Sequence, residues 1–108
     1  MTRNCLIVID MQNDFLDRLE GDDRAGLIAN TNHLIDLFRA SGCPVIWVQQ
    51  LLSPDLSDAP LLMRDRRMSV VIDGTAGARI DADLARDDND AVVTKKRYRY
   101  RLYIIIVS

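Results

Sequence analysis

The fold is decided by residues 5–16, which read CLIVIDMQNDFL. The first five residues, Cys5 to Ile9, form a nearly continuous apolar run, which is typical of a strand buried on both faces of a parallel sheet. Asp10 ends that run, and the polar residues from 11 to 25 predict a loop. The segment therefore predicts an acidic side chain at the carboxyl end of a buried strand.

The other apolar segments alternate between helix and strand patterns. They predict a helix over residues 27–38, a second buried strand at 45–48, a third buried strand at 91–94, a short strand or extended segment at 70–72, and a short helix within 78–86. Gly42 and Pro44 end the first helix, and a long polar connection occupies residues 50–68. Strands that alternate with helices and long connections favour an α/β fold with a parallel sheet.

Composition limits the classes of function. The 108 residues are 48% hydrophobic and 28% charged, which fits one globular domain. A net charge of -2 argues against a nucleic-acid partner, and no apolar run approaches the ~20 residues that span a membrane. There is no signal-peptide pattern, and two cysteines do not make a disulfide framework. We therefore expect a cytoplasmic protein with no membrane association.

Polar residues follow the ends of the predicted strands. Asp10 and Lys95 each end an apolar strand, and Gln49 ends another. The carboxyl ends of parallel strands meet at one sheet edge, where open α/β sheets bind ligands. Asp10 and Lys95 are therefore expected to face one crevice. Cys5 and Cys43 lie at the opposite strand ends, where each is best explained as a small apolar filler or a loop thiol.

Three segments carry a resemblance to a known family. They are LIVIDMQNDFL at 6–16, GTAG at 74–77 with Ile80 and Leu84 after it, and DAVVTKKRY at 90–98. Together they resemble the isochorismatase-like cysteine hydrolases over residues 4–98. The resemblance implies an α/β, doubly wound parallel sheet, with residues 1–98 as an incomplete hydrolase domain and residues 99–108 as a divergent apolar and basic tail.

The resemblance also implies an Asp-Lys-Cys catalytic triad. Asp10 would take the thiol proton, and Lys95 would hold the carboxylate and favour the thiolate. Phe15 and Gln49 would contact the small-molecule substrate. The reaction would be hydrolysis of an amide, a related C–N bond or a vinyl ether. The family implies a homo-oligomer and no cofactor. Nicotinamidase-like members carry a metal-binding cluster with His after the second strand; residues 49–55 contain no His, so no metal site is expected.

The family's nucleophilic cysteine belongs to a G-x-x-T-x-x-C segment well after the lysine. Only 13 residues follow Lys95, and none of them is a cysteine. Composition also changes near residue 98: residues 1–94 hold nine bases and 16 acids, whereas residues 95–108 hold five bases and no acid. A reading frame that is shifted or truncated near residue 98 is the simplest hypothesis, and it predicts an inactive chain.

Other functions remain open at this point. One is an enzyme that needs no cysteine, as in the vinyl-ether branch, with Asp10 as general acid. Another is a non-enzymatic dimerisation or interaction module that uses the apolar tail. The tail predicts a strand at residues 102–107, but the six residues 96–101 are too few for a parallel crossover and hold no hairpin-turn residue. A receiver-like regulatory domain fits least, because no acceptor Asp ends a third strand.

Overall fold

The computed structural model describes residues 4–55, 71–95 and 103–107. The elements are β1 (Cys5–Ile9), α1 (Asn13–Leu16), α2 (Asp23–Ala40), β2 (Val45–Gln50), a 3-10 helix (Ala76–Ala78), β3 (Ala91–Lys95) and β4 (Tyr103–Val107). None of the helices in these ranges is both long enough and apolar enough to cross a membrane.

The strands form one sheet in the order β3-β2-β1-β4. β1 pairs in parallel with β2, with Val8 opposite Trp47, and β2 pairs in parallel with β3, with Gln50 opposite Lys95. This confirms the expected α/β fold with a parallel sheet. The register places the carboxyl ends of β1, β2 and β3 at one edge, which is the edge that carries Asp10 and Lys95.

The core lies between the sheet and α2. Its strand residues are Leu6 and Val8 from β1 with Val45 and Trp47 from β2, and α2 adds Ile28 and Ile35. Leu6, Val8 and Ile35 are fully buried. Burial of such side chains stabilises the fold by roughly 1.5–3 kcal/mol each, so α2 is held mainly by this apolar contact. The core thereby fixes the strands that carry the edge residues.

The prediction that the third strand is buried is wrong. Ala91 to Thr94 are exposed in β3, with Val92 at 38% and Val93 at 52% exposure. The reason is position: β3 is an edge strand of the sheet, and α2 packs on β1 and β2. An apolar strand pattern cannot distinguish an edge strand of this sheet from a central one.

Two local predictions also need correction. The segment from 11 to 25, expected to be a loop, contains α1 and the start of α2. The short helix expected within residues 78–86 is replaced by the 3-10 helix and turns. There the Asp81 carboxylate accepts from the Asp83 N–H, and the Asn32 side chain accepts from the Ala85 N–H. Such side-chain bonds compete with helical hydrogen bonding.

The tail forms a strand, as expected, but at the edge of the sheet opposite to β3. β4 pairs antiparallel with β1, with Ile7 opposite Ile105. The short connection and the lack of a turn residue argued only against a strand that pairs directly beside β3. β4 pairs with the other edge of β1 instead. The expected strand at 70–72 lies partly outside the described residues; Ile72 makes an isolated parallel bridge with Leu52.

Candidate active site

Asp10 and Lys95 meet at the carboxyl edge of the sheet. Asp10 follows β1 and Lys95 ends β3, so the two residues reach across β2. The Lys95 Nζ donates a hydrogen bond to Asp10 Oδ2 at 3.1 Å. The Asp10 side chain is fully buried, whereas that of Lys95 is 26% exposed. The structure thus brings together the two residues to which the family resemblance assigns catalytic roles.

Burial and the lysine act on Asp10 in opposite directions. Burial raises the pKa of the Asp10 carboxyl, and the hydrogen bond and charge of Lys95 lower it, with a net rise above 3.8. Within the described residues, the second carboxylate oxygen, Oδ1, is buried without a hydrogen-bond partner. Only one of the two carboxyl oxygens is thus hydrogen-bonded, and an ammonium group lies beside it. Such a group can accept a proton as the carboxylate and donate it as the acid at the sheet edge.

The backbone at Asp10 is strained. Its φ is +61°, in the left-handed region that side chains other than Gly rarely adopt. The Asp10 N–H donates to the Val48 carbonyl at 2.9 Å, which ties the turn to β2. Strain of this kind costs on the order of 1–3 kcal/mol and persists where surrounding contacts impose it. Here it turns the chain abruptly out of β1 while the carboxylate stays buried.

Gln12, two residues after Asp10, makes three side-chain hydrogen bonds, and sequence reasoning assigned it no role. Its side chain is fully buried. Nε2 donates to the carbonyls of Gln50 and Ala78, both at 2.7 Å, and Oε1 accepts from the Gln50 N–H at 2.9 Å. Gln12 therefore joins the end of β2 to the 3-10 helix. The signal in the sequence was its place inside the DMQNDF string.

Asn13 and Asp14 bind the segment that contains GTAG. Asn13 Nδ2 donates to the Ala76 carbonyl at 2.8 Å, and Asp14 Oδ2 accepts from the Val71 N–H at 2.7 Å. A Cβ atom on Gly77 would lie within 3.0 Å of the Asp14 carboxyl atoms, so only Gly fits there without displacing them. The first two motifs are thus one packed unit, a contact that neither motif reveals alone.

The third motif is anchored at its first residue. Asp90 accepts two hydrogen bonds from the Arg39 guanidinium, at 3.0 and 2.8 Å, and one from Trp47 Nε1 at 2.9 Å. Burial raises the pKa of Asp90, but Arg39, the Asp87 N–H and Trp47 outweigh it and hold that pKa below its usual value. The ionised carboxylate fixes the start of β3, and hence its register, against α2 and β2.

The two predicted substrate residues are placed differently. Phe15 is buried in α1. Gln49 lines two adjoining open clefts of about 240 and 390 Å³, and its Nε2 donates a hydrogen bond to Thr94 Oγ1 at 3.1 Å. Neither cleft is lined by Asp10, Lys95 or Phe15. The structure therefore does not bring Phe15 and Gln49 together at one cleft.

Neither cysteine reaches this edge. Cys5 begins β1 and Cys43 precedes β2, so both lie at the amino ends of their strands. Their Sγ atoms contact backbone carbonyls close in sequence, those of Leu6 and Ser41, each at 3.8 Å. His33 lies exposed in α2. In the ranges that the structure describes, no group of three His, Cys, Asp or Glu side chains could hold a metal ion.

Comparison with known proteins gives a consistent result. The Isochorismatase domain model matches residues 4–101. A probable inactive nicotinamidase from Arabidopsis thaliana is 31% identical over 101 residues, covering 86% of this chain and 52% of its own length. The crystal structure of an isochorismatase family protein from Desulfovibrio vulgaris is 30% identical with a TM-score of 0.70, over 89% of this chain and 54% of that one.

A more distant structure shares the fold. It is the N-carbamoylsarcosine amidase from Thermoplasma acidophilum, with 24% identity, a TM-score of 0.69 and coverage of 89% of this chain and 53% of that one. These likenesses confirm the fold expected from the three motifs. The chain spans about half the length of these relatives.

Proposed function

The chain belongs to the isochorismatase family, and from that premise we propose that Asp10 and Lys95 are the acid–base part of a small-molecule hydrolase site. The reaction class is hydrolysis of an amide, a related C–N bond or a vinyl ether. The observation that carries the proposal is the 3.1 Å bond from Lys95 to the buried Asp10 carboxylate. In a cysteine hydrolase, this carboxylate would remove the thiol proton and the ammonium would stabilise the resulting thiolate.

The proposal also states that this chain is inactive as a cysteine hydrolase. Both cysteines of the sequence lie at the other ends of their strands, so neither thiol can pass its proton to Asp10. Proton transfer requires heavy atoms within about 3 Å of each other or one bridging water. A relative of this chain carries the name probable inactive nicotinamidase, which supports the same conclusion.

Ammonia release from nicotinamide tests the inactivity. We expect no release above the buffer blank, and no change in the double variant Cys5→Ser, Cys43→Ser. Turnover that disappears in either single cysteine variant would overturn the proposal. Isochorismate serves as the second substrate: turnover that survives both cysteine changes but is lost in Asp10→Asn would show a cysteine-independent enzyme with Asp10 as general acid.

The acid–base pair is tested without turnover by NMR titration of the Asp10 carboxyl. Because Lys95 lowers the pKa of Asp10 against the effect of burial, Lys95→Met is expected to raise that pKa further. Lys96→Met is the matched control, since Lys96 is the adjacent and only other lysine in the sequence. An Asp10 pKa that responds equally to both changes would contradict the assignment of Lys95.

The proposal places Phe15 and Gln49 at the substrate. Gln49 lies on open clefts at the carboxyl edge, which supports that role. Phe15 is buried and lines neither of these clefts, so Gln49 is the better supported of the two. Residues 99–108 are proposed as a tail distinct from the domain of residues 1–98. The antiparallel pairing of β4 in a sheet whose other pairs are parallel supports that division.

A second candidate function is a dimerisation module that uses the tail. β4 is the last strand in the sheet order, and among the described strands it pairs with β1 only. In the part of the chain that the structure describes, its other edge has no partner strand, so a strand of a second copy can add there edge to edge. Light scattering of the full chain and of a chain without residues 99–108 tests this. Loss of a concentration-dependent dimer on deletion supports the module, and an unchanged assembly excludes it.

A further inference from the structure

Two open clefts adjoin on the chain and share two residues, Gln49 and Arg79. The larger, of about 390 Å³, is lined by Gln49, Arg79, Ile80, Arg86 and Val92. The smaller, of about 240 Å³, adds Leu51, Asp73, Gly74, Thr75 and Ala78. The volume of the larger cleft lies within the ~300–1,000 Å³ that small-molecule sites occupy. Its wall thus combines two guanidinium groups, one amide and two aliphatic side chains.

The two arginines of the larger cleft differ from Arg24 and Arg39, two other arginines of the described ranges. Arg24 pairs with Asp17 and Asp81, and Arg39 pairs with Asp90. In the described ranges, neither Arg79 nor Arg86 forms an ion pair with a carboxylate. Among the cleft residues, the only acid is Asp73, which lines the smaller cleft. The larger cleft therefore offers two guanidinium groups with no carboxylate in its lining.

Arg79 is held in place through its backbone. Its carbonyl accepts from the Asn13 N–H at 2.9 Å, and its N–H donates to the Ala76 carbonyl at 3.2 Å. The preceding carbonyl, of Ala78, accepts from the buried Gln12 side chain. The backbone that carries the guanidinium is thus fixed to the segment after β1. A fixed backbone reduces the ordering cost that a ligand would otherwise meet.

The apolar part of the wall comes from Ile80 and Val92. Val92 is 38% exposed in β3, on an edge strand that nothing in the described ranges covers on this side. Gln49 lines the same cleft, and its hydrogen bond to Thr94 orients the amide. A ligand that satisfies the whole wall needs an anionic group at one end and a small apolar body at the other.

We propose that this cleft binds a small organic carboxylate, with the carboxylate between Arg79 and Arg86 and the apolar body against Ile80 and Val92. Guanidinium groups bind carboxylates through paired, charge-assisted hydrogen bonds, and two of them can share one carboxylate. Neither Asp10 nor Lys95 lines this cleft, and Gln49 is the one side chain that the cleft shares with the proposed hydrolase site. Binding there requires no hydrolysis, so it stands or falls independently of the proposed enzymatic function.

Titration of the ¹⁵N-labelled chain with benzoate tests the proposal, with benzamide as the neutral ligand of the same shape. We expect benzoate to shift the backbone amides of Gln49, Arg79, Ile80 and Arg86, and to bind about tenfold more tightly than benzamide, as one charge-assisted hydrogen bond gives. Raising the salt concentration should weaken benzoate binding and leave benzamide unaffected, since the arginines are exposed.

Matched arginine variants locate the site. Arg79→Gln and Arg86→Gln should each weaken benzoate binding by about tenfold. Arg18→Gln is the control, because Arg18 is exposed but lines neither cleft, and it should bind as the unaltered chain does. The proposal is overturned by the absence of benzoate shifts at the cleft, by equal binding of benzamide, or by an equal loss in all three variants.

Discussion

Gly77→Ala tests whether the first two motifs form one packed unit. The added Cβ would lie closer than 3.0 Å to the Asp14 carboxyl atoms, a separation that the structure cannot keep. The carboxylate would have to withdraw to an ordinary contact of about 3.5 Å or more. It would then lose its 2.7 Å hydrogen bond from the Val71 N–H.

The expected cost follows from those two changes. A hydrogen bond to a charged group contributes about 1.5–3 kcal/mol, and the loss is felt fully because Val71 is buried and its N–H has no access to water. Steric overpacking adds about 1–3 kcal/mol where the neighbour cannot move, and less here because Asp14 is only half-buried. We therefore expect a loss of roughly 2–3 kcal/mol in the free energy of unfolding.

Gly26→Ala is the matched control. Gly26 lies inside α2, and a Cβ there meets nothing within 4 Å. The same substitution should raise the free energy of unfolding by about 0.5–1 kcal/mol, because alanine favours the helix. Urea unfolding followed by circular dichroism measures both variants on one scale. The two changes should have opposite signs.

A double-mutant cycle with Asp14→Ala identifies the cause. Without the carboxylate, Gly77→Ala should cost less than about 1 kcal/mol, so that the two changes are strongly non-additive. Two results would refute the reasoning. One is a Gly77→Ala variant that is no less stable than Gly26→Ala. The other is an undiminished cost in the Asp14→Ala background, which would place the strain in the backbone rather than at the carboxylate.

Three further predictions concern buried polar groups. Because the folded-state pKa of Asp10 is raised above 3.8, the contribution of Asp10 to stability falls as pH rises from 3.8 through that pKa. The stability of Asp10→Asn relative to the unaltered chain should therefore increase between pH 3 and pH 7 in urea unfolding, and a constant difference would contradict this. Gln12→Leu leaves the Gln50 N–H and two carbonyls without their hydrogen-bond partner and should lower the free energy of unfolding by about 3 kcal/mol in the same measurement. An exposed polar change such as Asn89→Ala should lower it by less than about 1 kcal/mol. Trp47→Phe removes the indole donor to Asp90 and should cost about 1.5–3 kcal/mol, with a Tm that falls in proportion.

The Asp10–Lys95 pair was predictable from sequence because it needs only the direction of the strands. Once β1 and β3 are parallel members of one sheet, the residues that end them share an edge. Nothing about side-chain detail enters that step. The exposure of Val93 was not predictable in the same way, because it depends on which strand lies at the sheet edge. An apolar run carries no information on its neighbours.

The tail shows the same difference between local and non-local signals. The strand at Tyr103–Val107 follows from its β-branched composition. Its partner does not, because pairing with β1 joins positions about a hundred residues apart, with Cys5 opposite Val107. The larger cleft, which contains Arg79 and Arg86, is hidden for the same reason. Its wall comes from β2, β3 and the segment after the 3-10 helix, and sequence spacing does not show that these meet.

The structure also explains why the string after β1 is continuous. Asp10 faces Lys95, the Met11 carbonyl accepts from the Asp81 N–H, and Gln12 bridges β2 to the 3-10 helix. Asn13 and Asp14 then fix the segment around Gly77. Each successive residue thus has its own partner, in a turn whose strained start at Asp10 leaves little freedom to exchange them. The Asp14 carboxyl group fills the space that a side chain at position 77 would need, so the chain tolerates a larger residue at 77 only together with a smaller one at 14.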